Sequence, residues 1–96
     1  MGIDARALVA RNVRRLRVAR GISQEHLAVD AGIDRTYVGR LERGRENPTV
    51  AVLERIAAAL GAPIVELFAV PEPGQEPPGT LRPGRKAVRP RSRRAR

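Results

Sequence analysis

The chain has 96 residues, with 19 Lys and Arg, 10 Asp and Glu, one His and no Cys, and its net charge at pH 7 is +9. This length suits one small domain. Without Cys the chain cannot form a disulfide framework, a thiolate metal site or a cysteine nucleophile, and its lone His26 excludes a multi-His metal centre. No segment resembles a signal peptide or reaches the ~20 apolar residues of a membrane span. We therefore predict a cytoplasmic, nucleoid-associated basic protein without metal or cofactor, and disfavour an enzyme because a catalytic cleft needs a larger scaffold.

The positive charge is concentrated towards the carboxyl terminus. Residues 1–70 hold 11 Arg and eight acidic residues, whereas residues 71–96 hold seven Arg and one Lys against two Glu, with six Pro and three Gly. The second segment has few apolar side chains, so it cannot bury enough surface to offset the loss of chain entropy. We predict a folded domain over 1–70 and a disordered Pro/Arg-rich tail over 71–96. The tail is either a solubilising terminus or a sequence-independent phosphate-binding arm.

The signals along residues 1–70 favour helices. Val9, Val13 and Leu16 recur at spacings of four and three, which predicts a first helix over residues 4–20 that ends at Gly21. Similar apolar patterns, preceded by cap residues, predict further helices over 24–31, 35–43 and about 49–60, and a short last helix after Pro63. The fold class is therefore all-α, with five short helices. A domain of this size is marginally stable alone, so we expect dimerisation to stabilise it.

Only residues 32–34 separate the second and third predicted helices. A connection this short, with Gly32 where the chain turns sharply, forces the two helices to cross steeply. This is the geometry of a helix-turn-helix, which presents the start of its second helix to the DNA major groove. Counted from Gln24, the fifth residue is Ala28, small where the helices touch, and the ninth is Gly32, where a left-handed backbone is needed.

Several short motifs follow one another within residues 9–68: GISQ, LA, AG, LERG, and NP followed by LERIAAALG. In this order and spacing the chain resembles the phage-repressor-like helix-turn-helix proteins of the lambda and Cro type, also called the XRE family. The resemblance implies a lambda-repressor-like fold, double-stranded DNA as partner and a role in transcription regulation. The compact size and the stretch IDRTYV also resemble restriction–modification controller proteins. The chain departs from the family pattern at His26, where a Glu usually completes the capping box, and at Gly39 and Ala62.

The resemblance implies that a recognition helix over about 35–43 reads DNA bases. Arg35, Thr36 and Arg40 would point to base edges, since the Arg fork matches guanine O6 and N7 and Thr can contact a thymine methyl. Tyr37 has two alternative roles: it contacts DNA, or it covers the junction between the two helices. The residues expected to bind phosphate are Gln24, at the start of the second helix, and Arg43, Arg45 and Asn47, after the recognition helix.

Two further sets of residues are expected to hold the fold and the assembly together. Arg17 and Glu42 match an internal ion pair of the family, so we expect them to be mostly buried and to fix the recognition helix in place. The last helix carries more bulky apolar side chains than one of its sides can bury, which predicts a homodimer interface. The alternative is that these side chains pack into the monomer's own core. They are Ile64, Val65, Leu67 and Phe68.

The leading hypothesis is a dimeric, sequence-specific transcription regulator that binds an inverted-repeat operator. Its two recognition helices would lie about 34 Å apart, in successive major grooves. One alternative is an antitoxin-type autorepressor that binds a toxin, and contact with RNA polymerase is expected if the protein activates. Another is a non-specific nucleoid or RNA-binding protein whose affinity comes from the Arg-rich tail. The acidic residues are scattered without a paired-carboxylate pattern, so no catalytic residues are predicted.

Overall fold

A computed structural model describes residues 4–72, which form four α-helices and one 3₁₀ helix, and none of these residues lies in a strand. The predicted all-α class is confirmed. Residues 73–96, nearly all of the predicted tail, lie outside the described residues. The helices are α1 (Ala5–Arg20), α2 (Gln24–Ala31), α3 (Arg35–Glu42) and α4 (Val50–Leu60), and the 3₁₀ helix is Ile64–Phe68.

Side-chain caps start each α-helix at the position that the sequence indicated or one residue from it. The Asp4 carboxylate accepts from the backbone N–H groups of Arg6 and Ala7, so Asp4 caps α1 and is not its first residue. Thr49 caps α4 in the same way, through a 3.1 Å hydrogen bond from the Val52 N–H. Caps of this kind satisfy backbone donors that have no partner within the helix. The first residue of each α-helix is therefore determined by residues that are close to it in the sequence.

The fifth predicted helix is not an α-helix. Residues Ile64–Phe68 form a 3₁₀ helix that follows Pro63 and has no side-chain cap. Five residues without a cap are too few for a stable α-helix, and 3₁₀ geometry is typical of such short pieces. The segment is held by Asn12 of α1, whose Nδ2 donates to the carbonyl oxygens of Leu67 at 3.0 Å and Ala69 at 2.9 Å. The sequence contained no local signal for this long-range clamp.

One apolar core joins all five elements. It contains a completely buried side chain from each of them: Val13, Leu27, Val38, Ile56 and Leu67. Because α2 and α3 share this core with α1 and α4, their mutual angle is fixed by packing on one side, and their outer faces remain exposed. Within residues 4–72, no helix is both long enough and apolar enough to cross a membrane.

Candidate nucleic-acid interface

The connection between α2 and α3 is the tight turn that the spacing predicted. Gly32 ends α2 with φ of 70°, a left-handed conformation that side chains rarely adopt. The next residue, Ile33, is half-buried, and its N–H donates to the Ala28 carbonyl at 3.0 Å. Asp34 then caps α3 by accepting from the Thr36 N–H at 2.9 Å. The connection and its Asp34 cap therefore fix Arg35 as the first residue of α3, and the first helical turn of α3 lies at the protein surface.

The predicted base-reading residues lie on α3, and three of them are exposed. Arg35 and Thr36 occupy its first turn, and Arg40 lies one turn beyond Thr36 on the same face. Tyr37 is half-buried and packs against the core. The structure therefore brings Arg35, Thr36 and Arg40 to one exposed surface, and Tyr37 lies beneath its edge.

Sequence reasoning missed a carboxylate in this surface. Glu46 is one of the acidic residues that form no pattern in the sequence, yet its Oε2 accepts from the Arg40 Nε at 2.7 Å. The chain returns to Arg40 because Gly44 takes φ of 75° and the Arg45 N–H donates to the Arg40 carbonyl at 2.9 Å. A separation of six residues is not a helical neighbour spacing, so the pair depends on the turn at Gly44.

The Glu46 carboxylate also affects the pKa of Tyr37. Burial raises the pKa of Tyr37 above its usual value of 10.0, and the negative charge of Glu46 raises that pKa further. Both effects disfavour the phenolate. The hydroxyl therefore stays protonated across the neutral range and can act as a hydrogen-bond donor at the edge of the α3 surface.

A bidentate ion pair connects α1 to α3 on the side of α3 that is turned to the protein. Arg17 donates from Nε to Glu42 Oε2 at 2.6 Å and from Nη2 to Glu42 Oε1 at 2.9 Å. Its Nη1 donates to the Ile22 carbonyl at 2.9 Å. The Arg17 side chain is 12% exposed and that of Glu42 is 1% exposed, so the pair is largely buried. This arrangement fixes α3 against α1, and both carboxylate oxygens of Glu42 accept hydrogen bonds from Arg17.

The predicted phosphate-binding residues divide into two groups. Gln24 is half-buried and its Nε2 donates to Glu42 Oε1 at 3.1 Å, so this amide is part of the buried pair and keeps one further N–H. The other three lie beyond α3, which ends at Glu42 and not at residue 43 as predicted. All three side chains are exposed: Arg43, Arg45 and Asn47.

The four apolar residues predicted as a dimer interface are split by the core. Leu67 is completely buried and Ile64 packs against the core, so placing Leu67 at an interface is corrected: the monomer itself covers it. Val65 is 66% exposed and Phe68 is 40% exposed. A 3₁₀ helix has three residues per turn, so these residues point in different directions and only part of the set can face inward. The exposed apolar surface here consists of Val65, Phe68 and the neighbouring Val70.

Comparison with known proteins gives a consistent result. The model of the helix-turn-helix family HTH_3 matches residues 13–67. A hypothetical transcription factor from Neisseria meningitidis is 46% identical over 69 residues, which are 72% of this chain and 65% of that protein, just under two thirds of its length. The crystal structure of the restriction–modification controller C.AhdI from Aeromonas hydrophila is 41% identical with a TM-score of 0.64, covering 66% of this chain and 96% of that one. The controller C.Esp1396I, solved as a tetramer with its natural 35 base-pair operator, is 31% identical with a TM-score of 0.64, covering 70% of this chain and 88% of that one.

Proposed function

The chain belongs to the helix-turn-helix family HTH_3 of transcription regulators, and on that premise we propose that it binds a specific DNA operator through α3. One observation supports this most directly. The exposed surface of α3 carries Arg35, Thr36 and Arg40, and the buried contact of Arg17 with Glu42 fixes the carboxyl-terminal end of the same helix against α1. A rigid helix with an exposed hydrogen-bonding face is what base recognition in the major groove requires.

The proposed base contacts follow from the shape of α3. An α-helix with its side chains is about 10–12 Å in diameter and the major groove is about 12 Å wide, so α3 can enter the groove with its first turn leading. Arg35 at the tip and Arg40 one turn further can each present a fork to guanine. Thr36 can donate from its hydroxyl or place its methyl group against thymine. Tyr37 would donate its hydroxyl to a phosphate or a base at the edge of the groove.

The phosphate contacts would hold α3 in position on both sides of the groove. Gln24 begins α2, where backbone N–H groups favour an anion, and its remaining amide N–H can add to them. Arg43, Arg45 and Asn47 would contact the other strand's backbone after α3. Contacts to phosphate fix register and orientation and carry no sequence information themselves.

We further propose that the active form is a homodimer on an inverted repeat. C.Esp1396I is a tetramer on its operator, so assembly on DNA is found in a structural relative. In this chain, Val65 and Phe68 are exposed apolar side chains on a segment that Asn12 holds rigidly against α1. A two-fold contact through them, flanked by Ile64, would place two copies of α3 about 34 Å apart, the spacing of successive major grooves.

Selection of bound DNA from a random duplex library tests the proposal. The full chain should recover a two-fold symmetric site, and Arg35→Ala should relax the preference at one base pair by about 1–3 kcal/mol. Arg55→Ala is a matched control, because Arg55 is exposed on α4 outside the α2–α3 unit. Equal binding to all sequences, with a steep salt dependence that disappears on removal of residues 71–96, would instead support the non-specific alternative.

A further inference from the structure

Between Arg35 and Asn47, one acidic side chain lies at the surface of the proposed interface, where its charge opposes DNA binding. Within residues 35–47 there are four Arg and two Glu. Glu42 is buried against Arg17, so its charge is compensated inside the protein. Glu46 is 23% exposed and lies at the surface that would approach phosphates. A carboxylate there repels the DNA backbone, so its position calls for a role that offsets this repulsion.

The geometry of the pair indicates that role. Glu46 Oε2 accepts from the Nε of Arg40 at 2.7 Å, a short charge-assisted hydrogen bond. Because a guanidinium group is planar, a partner at Nε restricts the plane of the whole group and leaves both Nη atoms for other acceptors. Arg40 is 47% exposed, so its outer end remains accessible. The Arg45 N–H bond to the Arg40 carbonyl holds the loop that carries Glu46.

We propose that Glu46 is a specificity-determining residue, which orients the Arg40 guanidinium towards one guanine and discourages its use on phosphates; this role rests on the proposed operator binding. An Arg with an unrestricted side chain binds any nearby phosphate. With Glu46 beside it, Arg40 can bind guanine through both Nη atoms and keep its pair. A phosphate bound by the same Nη atoms brings a second negative charge close to Glu46, and the two anions repel each other, whereas guanine is neutral. Arg40 therefore binds phosphate less favourably than guanine, which lowers the affinity for non-specific DNA relative to the operator.

The test uses the full chain with Glu46→Gln, which keeps the size of the side chain and removes its charge. Affinities are measured for the selected operator, for operators with single base pairs replaced, and for a random duplex. We expect Glu46→Gln to bind the random duplex about two- to threefold tighter, because one repulsive charge near phosphates is lost. At the base pair whose preference Arg40→Ala relaxes, discrimination should fall about three- to tenfold, and at the other positions it should stay unchanged.

Two controls separate positioning from charge and from folding. Glu54→Gln removes one negative charge from an exposed position on α4 and should leave discrimination unchanged at every base pair. In the background of Arg40→Ala, Glu46→Gln should have no further effect on discrimination, because its action passes through Arg40. Discrimination in Glu46→Gln equal to that of the parent would overturn the role, as would a uniform loss at all positions with a lower melting temperature. A parent chain without any preferred sequence would overturn the proposed function itself, and this role with it.

Discussion

Glu42→Ala is expected to unfold much of the domain, although the buried carboxylate is not itself one of the proposed DNA contacts. The Glu42 carboxylate accepts two hydrogen bonds from Arg17 and one from Gln24, and its side chain is 1% exposed. Removing it leaves the Arg17 guanidinium buried without its counter-charge and leaves the Gln24 amide without this acceptor. The substitution therefore acts on the contact between α1 and α3 that fixes the recognition helix.

The magnitude follows from the burial of the pair. Breaking a buried ion pair by removing one partner typically costs about 3–5 kcal/mol, because the remaining charge is not compensated. At roughly 0.05–0.15 kcal/mol per residue, residues 4–72 have a free energy of unfolding of about 3–10 kcal/mol. The loss is thus a large fraction of the total. Replacing both partners together, with Arg17→Met and Glu42→Leu, should recover most of it, since no buried charge then remains.

Urea denaturation, monitored by circular dichroism, measures the change in the free energy of unfolding caused by Glu42→Ala. The control is Glu66→Ala, which removes a different ion pair from the same domain: Arg15 Nη2 lies 3.4 Å from Glu66 Oε1, and both side chains are substantially exposed. That variant should lose only about 0–1 kcal/mol. A Glu42→Ala variant with the parent's midpoint, or a double variant less stable than Glu42→Ala, would refute the assignment of a stabilising buried pair.

Three further predictions test separate parts of the structure. Tyr37 is the single tyrosine, so tyrosinate absorbance reports its pKa directly; that pKa should be above 10.0 and should fall in Glu46→Gln. Because the unfolded tyrosine loses its proton first, stability is present in full below pH 10.0 and is lost as pH rises towards the folded pKa, and Tyr37→Phe should remove this loss. Asn12→Ala should lower the free energy of unfolding by about 1–3 kcal/mol, measured by urea denaturation, because two carbonyl oxygens lose their donor. Phe68→Ala should weaken the dimer by about 2 kcal/mol in analytical ultracentrifugation with little effect on monomer folding, whereas Leu67→Ala should cost about 2–5 kcal/mol of stability; a Phe68→Ala chain with an unchanged oligomeric state would contradict the proposed interface.

Local features of the fold could be predicted because their causes are local. Helix α2 has the predicted bounds, since Ser23 caps it and Gly32 ends it within the same short stretch of sequence. The apolar spacing in α1 indicated that Val13 faces the core, where it is completely buried. Cap geometry and helical periodicity each involve residues three or four apart, so single-sequence patterns contain them.

Features that depend on distant residues could not be predicted in this way. The last segment takes its place because Asn12 donates to carbonyl oxygens 55 and 57 residues further on. Similarly, Arg20 Nη1 donates to the carbonyl oxygen of Leu60, the last residue of α4, at 2.6 Å. The sequence also does not indicate which of two adjacent apolar residues is buried: Leu67 fills the core, and Phe68 remains 40% exposed. These outcomes are set by packing between elements, for which one sequence contains no periodic signal.

The two glutamates after Arg40 show why residue type and spacing alone do not assign a role. Glu42 is in the last turn of α3, and its carboxylate is drawn inward by Arg17, a residue 25 positions away that sequence reasoning reached only through the family resemblance. Glu46 would lie one helical turn beyond Glu42 if α3 continued, and would then share its inward face. Gly44 instead ends the helix with a positive φ, and the returning chain places Glu46 against Arg40 on the exposed side. One backbone conformation thus separates the buried charge of Glu42, which stabilises the fold, from the surface charge of Glu46 beside Arg40.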